Sequence, residues 1–230
     1  MTDWRSFWDS AHSIYVNARH KDVHYREIAD QIAAFVPGPQ ARVLDFGCGE
    51  ALHADRVAAV AREVLLCDSA PSVRAAMATR FAGNPRIVVL VPEEVSRLPD
   101  QNLDLIVANS VVQYLTPAEL DGLLATWKRL LAPNGALIVA DVIPPDVGAL
   151  SDVLALLRYA AQNGFLAAAL MGLARTAVSP YRKLRAQLGI SQYTETEFMQ
   201  KLNSAGFNAE RLARNMEHNP ARMTFRARVR

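Results

Sequence analysis

The chain has 230 residues, 51% of them hydrophobic, and 25 lysines and arginines stand against 23 aspartates and glutamates for a formal net charge of +2. That apolar fraction can cover both faces of a buried parallel sheet and excludes a disordered or fibrous chain. The near balance of charge leaves no global field to recruit nucleic acid, and the length fits one large α/β domain or one carrying an insertion.

The opening MTDWRSFWDS has no basic stretch followed by an apolar run, so no signal peptide is expected. Residues 1–36 read as helical and rich in aromatics and histidine. From Ala41 to Asp141 short β-branched runs alternate with longer amphipathic ones. Strands are expected at Arg42–Phe46, Glu63–Cys67, Arg86–Val91, Leu103–Ala108 and Ala136–Ala140. Helices are expected over Ala51–Ala61, from Pro71 onward and over Pro117–Leu131. Residues 146–190 form an insertion whose apolar positions 153, 154, 156, 157 and 160 make a helical stripe. Its most apolar stretch, Phe165–Ala174, is half of the roughly 20 residues that a membrane span needs. A helix over Glu195–Ala205 ends at Gly206. Glu210–Arg214 and Arg222–Val229 then read as an antiparallel strand pair, with Arg222, Arg226, Arg228 and Arg230 facing outward. The two cysteines, Cys48 and Cys67, read as small buried side chains in a reducing cytoplasm.

The informative stretch is Val43-Leu44-Asp45-Phe46-Gly47-Cys48-Gly49-Glu50. A strand ends at Asp45, and two glycines one residue apart make the turn into a helix. Glycine allows a sharp reversal and leaves room for a ligand against the main chain. The crevice at the carboxyl ends of parallel strands is where open α/β sheets bind ligands. A dinucleotide site would need a third glycine at Leu52, and Asp45 would repel a pyrophosphate. An acid directly before the glycines suits a cationic ligand instead.

VLDFGCGEA resembles motif I of the class I S-adenosylmethionine-dependent methyltransferases, with Ala51 in place of the third glycine. The resemblance covers Ala41–Ala140 and, more loosely, the rest of the chain to its C-terminus. It implies a Rossmann-like, mostly parallel seven-stranded sheet with an antiparallel C-terminal strand pair, helices on both faces and a helical lid. It also implies one domain over residues 1–230: a helical cap (1–36), a cofactor-binding core (37–145), the insertion (146–190) and a C-terminal helix with the strand pair (191–230). The implied cofactor is S-adenosyl-L-methionine, with Asp45, Gly47, Cys48 and Gly49 around its methionine end. Asp68 and Ser69 would meet the ribose, because the two oxygens of a carboxylate can each take a hydroxyl donor. Asp68 also reads as a helix N-cap, and both readings can hold together. Glu94 and Val95 align with the adenine contacts, although Glu94 reads equally as an exposed acid at a helix start. Asn109 follows strand four in the motif that faces cofactor and substrate, with Gln113 and Tyr114 on the substrate side. In Leu131-Ala132-Pro133-Asn134-Gly135, Asn134 stands where the family has a glycine in a turn.

Methyl transfer from a sulfonium needs alignment, exclusion of water and deprotonation or orientation of the acceptor. Tyr15, Arg19, His20 and His24 are the candidates in the N-terminal segment. Tyr15, His20 and His24 would be catalytic, and Arg19 would meet the methionine carboxylate. His20 and His24 share a helix face. The alternative is that the tyrosines pack in the core and the histidines are solvated. His218 is a substrate-side candidate from the loop between the last strands, and His12 and His53 read as structural. No metal-ligand cluster stands out, so metal-independent chemistry is expected. The insertion, with Arg158, Arg175, Arg182, Lys183 and Arg185, reads first as a lid over an aromatic or lipophilic acceptor. A dimer face or a peripheral membrane contact stays open. The expected activity is O- or N-methylation of a small molecule in the cytoplasm by a monomer or homodimer, with no nucleic-acid partner. A macromolecular acceptor, or cofactor binding without catalysis, are the alternatives.

Overall fold

The computed structural model describes residues 8–9, 15–176 and 189–230. Its β-branched and leucine-rich runs pair into one sheet. β1 (Arg42–Phe46), β2 (Glu63–Cys67), β3 (Ile87–Leu90), β4 (Leu103–Asn109) and β5 (Leu131–Val142) are parallel. β7 (Met223–Val229) lies antiparallel against β5, and β6 (Phe207–Arg211) lies antiparallel against β7. The spatial order is β3-β2-β1-β4-β5-β7-β6, so the winding reverses between β1 and β4. That switch point opens a crevice at the carboxyl ends of the strands.

Alternating side chains send every second residue to the opposite face. Leu44, Leu65, Ile106, Leu137 and Val139 pack with Leu120, Leu124 and Trp127 of α5 (Pro117–Leu130) and Phe198 and Leu202 of α8 (Glu195–Ser204). Val43, Val64, Leu66, Leu105, Val107 and Ile138 face the other way. They meet Ile28, Ala29 and Ile32 of α1 (Ala18–Phe35), Val57 of α2 (Ala54–Ala58) and Met77 of α3 (Pro71–Phe81). Each large side chain buried in these layers stabilises the fold by about 1.5–3 kcal/mol. The starts of α5 and α8 are fixed by capping boxes, Thr116 with Glu119 and Thr194 with Glu197. A short helix α4 (Pro92–Val95) follows β3.

The insertion forms α6 (Ala149–Asn163) and α7 (Leu166–Thr176). Tyr159 and Ala160 of α6, Phe165 and Ala169 make a third cluster with Val23 of α1, which joins the insertion to the N-terminal helix. The buried residues of α6 are Ala155, Tyr159 and Ala160. Of the stripe expected at 153–160, Ala160 is buried and Leu156 and Leu157 pack against that cluster, while Leu154 stays 45% exposed. Among the described residues no helix is long and apolar enough to cross a membrane. His12, Arg182, Lys183 and Arg185 lie outside the described residues, as does the side chain of Arg175.

Several boundaries differ from expectation. The helix after the glycine turn runs only over Ala54–Ala58, because Ala51 at φ 43° prolongs the turn. β5 starts at Leu131, but its register against β4 slips between Leu131, which pairs with Leu103, and Ala136, which pairs with Leu105, so Pro133-Asn134-Gly135 bulge out of the pairing without Asn134 turning left-handed. Gly135 is needed for space: a Cβ there would lie 2.9 Å from the Leu103 carbonyl oxygen. β6 begins at Phe207, which is fully buried and pairs with Val229, and so precedes the expected Glu210–Arg214. Arg226 pairs outward with Glu210, but Arg222 does not face out; its guanidinium is turned inward onto Asp141 and Asp152.

Candidate functional site

β1 delivers Asp45 to the crevice with 8% exposure, and the chain then turns through three left-handed residues, Gly47 (φ 72°), Gly49 (φ 57°) and Ala51 (φ 43°). The amides of Gly47 and Cys48 both donate to the Cys67 carbonyl, at 2.7 and 3.1 Å, which pins the turn over the end of β2. A Cβ on Gly47 would collide with Val111, and one on Gly49 would lie 2.5 Å from the Tyr25 hydroxyl. The main chain is bare here, with neighbours close on either side.

Asp68 closes the turn from β2. Its Oδ2 accepts the Gly49 amide and its Oδ1 the Ala70 amide, both at 2.9 Å. The N-cap of α3 is Ala70, so Asp68 braces the turn before the helix and does not cap the helix itself. Ser69 between them is exposed. Burial, together with the nearby charge of Asp68, pushes Asp45 up to about 7, and burial raises Asp68 as well. A buried carboxylate, Asp45, and a half-buried one, Asp68, beside a bare glycine turn fit a ligand that brings positive charge and hydroxyl donors. The Cys48 thiol is pushed up by burial, and its sulfur sits 3.6 Å from that of Met77. Glu94 accepts the Val91 amide at 2.9 Å and closes the first turn of α4, while Val95 beside it is buried.

Facing the turn is a second group built from three distant segments. α1 supplies His20, His24 and Tyr25, with Tyr15 just before it. The insertion supplies Tyr159 and Phe165, and the β6–β7 loop supplies Glu217 and His218. Tyr15 packs against His20, His24 and Tyr25 at ring separations of 5.3, 5.3 and 5.7 Å. His20 stacks on Phe165 at 4.8 Å, and His218 on Tyr159 at 4.9 Å. Tyr25 accepts the Glu50 amide at 2.9 Å, so this aromatic wall rests directly on the glycine turn.

Glu217 is the centre of the group, and sequence reasoning missed it. Its side chain is 8% exposed; Oε1 accepts Asn109 Nδ2 at 2.8 Å, and Oε2 lies 3.4 Å from His24 Nδ1 and 3.6 Å from His218 Nδ1. Burial would raise its pKa, but the charge on His24 and the surrounding donors hold it well below the usual carboxylate range. Burial works to lower His24, and Glu217 overcomes it and raises the imidazole. His20 is pushed down to about 4, first by burial and then by His24 and His218. Its Nδ1 accepts the Val16 amide at 3.3 Å, which leaves Nε2 carrying the proton. His20 is thus placed as a neutral donor, while His24 is the carboxylate-oriented imidazole. The one signal for Glu217 in the sequence was an acid beside His218 in Asn215-Met216-Glu217-His218-Asn219.

The remaining candidates are divided. Gln113 is buried, with its carbonyl taking the Ser191 amide at 2.9 Å. Gln113 Oε1 and Asn109 Oδ1 are buried without a hydrogen-bond partner among the described residues, and buried polar atoms of this kind call for one. Tyr114 packs edge-on against Trp8 at 5.4 Å. Arg19 is turned away to the end of α6, where Nε donates to the Asn163 carbonyl at 2.5 Å beside left-handed Gly164. His53 precedes α2 and pairs with Asp22 at 2.8 Å. Among the described residues no group of three or more His, Cys, Asp or Glu is arranged to hold a metal.

Residues 44–139 match the family model described as a methyltransferase domain. An uncharacterized methyltransferase of Mycobacterium tuberculosis (strain ATCC 25618 / H37Rv) is 31% identical over 127 residues, which is 55% of this chain. The match spans 61% of that relative's length. The chain superposes on magnesium protoporphyrin IX methyltransferase from Synechocystis PCC 6803 with bound S-adenosylhomocysteine. The TM-score is 0.59 and the identity 17%, over 99% of this chain and 93% of that one. The N-methyltransferase NodS from Bradyrhizobium japonicum, also with S-adenosylhomocysteine, gives a TM-score of 0.57 at 15% identity over 93% and 88%. At these identities the structural likenesses show the fold.

Proposed function

We propose that the chain is a class I S-adenosylmethionine-dependent methyltransferase that methylates oxygen or nitrogen of a small aromatic or lipophilic acceptor, a reading supported by the match of residues 44–139 to a methyltransferase domain. The observation that carries the proposal is one juxtaposition. Buried Asp45 and half-buried Asp68 on a left-handed glycine turn face a histidine–glutamate group walled by Tyr15, Tyr159 and Phe165. Bound S-adenosylmethionine supplies an electrophilic methyl group whose transfer needs no proton on the departing sulfur.

The chain's own residues do the rest. Asp68 keeps lone pairs beyond its two amide bonds and takes the ribose hydroxyls; Asp45 answers the positive charge. Val95 and Glu94 flank the adenine, and the unpaired carbonyl of Asn109 faces the donor side. Glu217 holds His24 by Nδ1, so the opposite ring nitrogen is the one that takes the acceptor's proton. His20 donates from Nε2, and Gln113 and Tyr114 hold the acceptor. The aromatic wall keeps water out, and alignment of this kind supplies several kcal/mol of barrier reduction. This function assigns all 230 residues to one unit, with α1 and the α6–α7 insertion as its cover. The two free cysteines suit a reducing compartment, and we place the protein in the cytoplasm.

Titration calorimetry tests the cofactor, with S-adenosylmethionine and S-adenosylhomocysteine expected to bind and NAD(H) to give no comparable heat. Radiolabelled methyl transfer to a panel of phenols and aromatic amines tests the acceptor. Tight NAD binding without response to either sulfur compound would overturn the assignment, and cofactor binding with no transfer across the panel would remove the acceptor class.

A further inference from the structure

Beyond the two halves of the site, a chain of polar bonds runs from the end of β5 to the insertion. Asp141 is left-handed, at φ 64°. Its Oδ2 accepts Ser110 Oγ at 2.8 Å and Arg222 Nη1 at 2.6 Å, and its Oδ1 accepts Asn215 Nδ2 at 3.2 Å. The other arm of the Arg222 guanidinium, Nη2, donates to Asp152 Oδ1 at 2.8 Å, in the first turn of α6. Asn219 Nδ2 donates to that same oxygen, also at 2.8 Å. Ser110 Oγ in turn lies 3.5 Å from Glu217 Oε1, and Asn215 Nδ2 lies 3.5 Å from the Glu217 carbonyl oxygen.

The two donors that converge on Asp152 both come from the loop between β6 and β7, the loop that carries Glu217. A guanidinium is planar and forked, so it can fix two carboxylates from different elements in one geometry. Asp152 is therefore the polar grip of the cover on the loop, beside the stack of Tyr159 on His218. We infer that Asp152 is a positioning residue, coupling the seat of α6 over the acceptor pocket to the placement of the Glu217 carboxylate. The inference rests on the methyl-transfer reading for its purpose and on the bond chain for its geometry. When α6 lifts, Arg222 and Asn219 lose their shared partner, the 215–222 loop slackens, and Glu217 leaves His24. When α6 seats, the loop is drawn tight and the carboxylate returns. The cover and the carboxylate that orients His24 are set together.

The full-length chain and its Asp152→Asn and Asp152→Glu variants are compared by hydrogen exchange, by the ring NMR signals of His24 and by S-adenosylhomocysteine titration. In Asp152→Asn, exchange is expected to rise by about tenfold in both 149–163 and 215–221, with the His24 signals displaced. Asp152→Glu restores both, and S-adenosylhomocysteine affinity stays within about twofold, since that site lies at the glycine turn. A rise confined to 149–163, with 215–221 and His24 unchanged, overturns the coupling and leaves Asp152 as a helix-start acid only. No change in either segment overturns it too. If Asp152→Asn does not fold, Asp152→Ser, which removes the shared carboxylate and leaves the bonds within the loop in place, must show the same joint rise. Should the wild type fail to bind S-adenosylhomocysteine while the joint rise appears, the coupling stands and the methyl-transfer reading falls.

Discussion

Glu217 and His24 form a pair in which each holds the other charged against burial. His24, raised by Glu217, is protonated below its shifted midpoint and becomes able to accept a proton only above it. In Glu217→Gln the largest raising charge is gone and burial, the largest single cause, faces only the smaller effects of Asp141 and Glu27, so the His24 midpoint is expected to fall below the ordinary value of about 6.5. An NMR titration of its ring checks this; an unmoved midpoint would mean that the pair is not formed. Asp45 titrates in the opposite sense to most aspartates. Its value is 3.8 in the unfolded chain and about 7 when folded, so between those limits the folded chain holds the extra proton. The stability it contributes falls as pH rises through that window. A cationic ligand favours the ionised form, so S-adenosylmethionine binding below pH 7 should release a proton and tighten with pH up to about 7. Calorimetry in buffers of different ionisation heat measures that proton directly. Asp68→Ala should weaken cofactor binding by more than about 1.5 kcal/mol, since hydrogen bonds to charged groups are worth about 1.5–3 kcal/mol. Unchanged affinity in the folded variant would place the ribose elsewhere. Asp45, Gly47, Gly49 and Asp68 were legible because local order along two strands carries them. Glu217 and Arg222 were not, because their partners lie 108 and 81 residues away and no spacing signals a bond across that distance.

The strands could be read from their apolar runs, since a sheet covered on both faces leaves few polar positions to blur them. Ends were harder. Pro133-Asn134-Gly135 carries the composition of a turn, and it stands as an irregularity within β5 between the Leu131–Leu103 and Ala136–Leu105 pairs. Gly135 is there for a close approach, and Gly135→Ala is expected to cost about 1–3 kcal/mol through overpacking against Leu103. Chemical denaturation measures it, and a loss below about 0.5 kcal/mol, the level of an ordinary surface substitution, would show that the contact yields. In the insertion the helix and part of its packed face, Leu156, Leu157 and Ala160, were legible, and the burial of Ala155 and Tyr159 was not. The position of that face depends on Tyr159 and Phe165 finding two histidines from other segments, which the periodicity of α6 alone does not encode.

At the scale of the whole molecule, α1 and the insertion meet over the strand ends and enclose the histidine–glutamate group between them. Cofactor binding should raise hydrogen-exchange protection in both 18–35 and 149–163, and an acceptor should raise it further. Protection in one segment without the other would show that they act as separate covers. The strand order also has a consequence for how the protein is made. β6 leaves the ribosome before β7, yet β7 is the strand that fits between β5 and β6. A nascent chain arrested after β5 can already pair its five parallel strands and fold the glycine turn. It holds neither Glu217 nor the strand that fixes its loop. At that stage His24 is already made but lacks the carboxylate that orients it, and insertion of β7 completes the sheet and fixes the loop that carries Glu217.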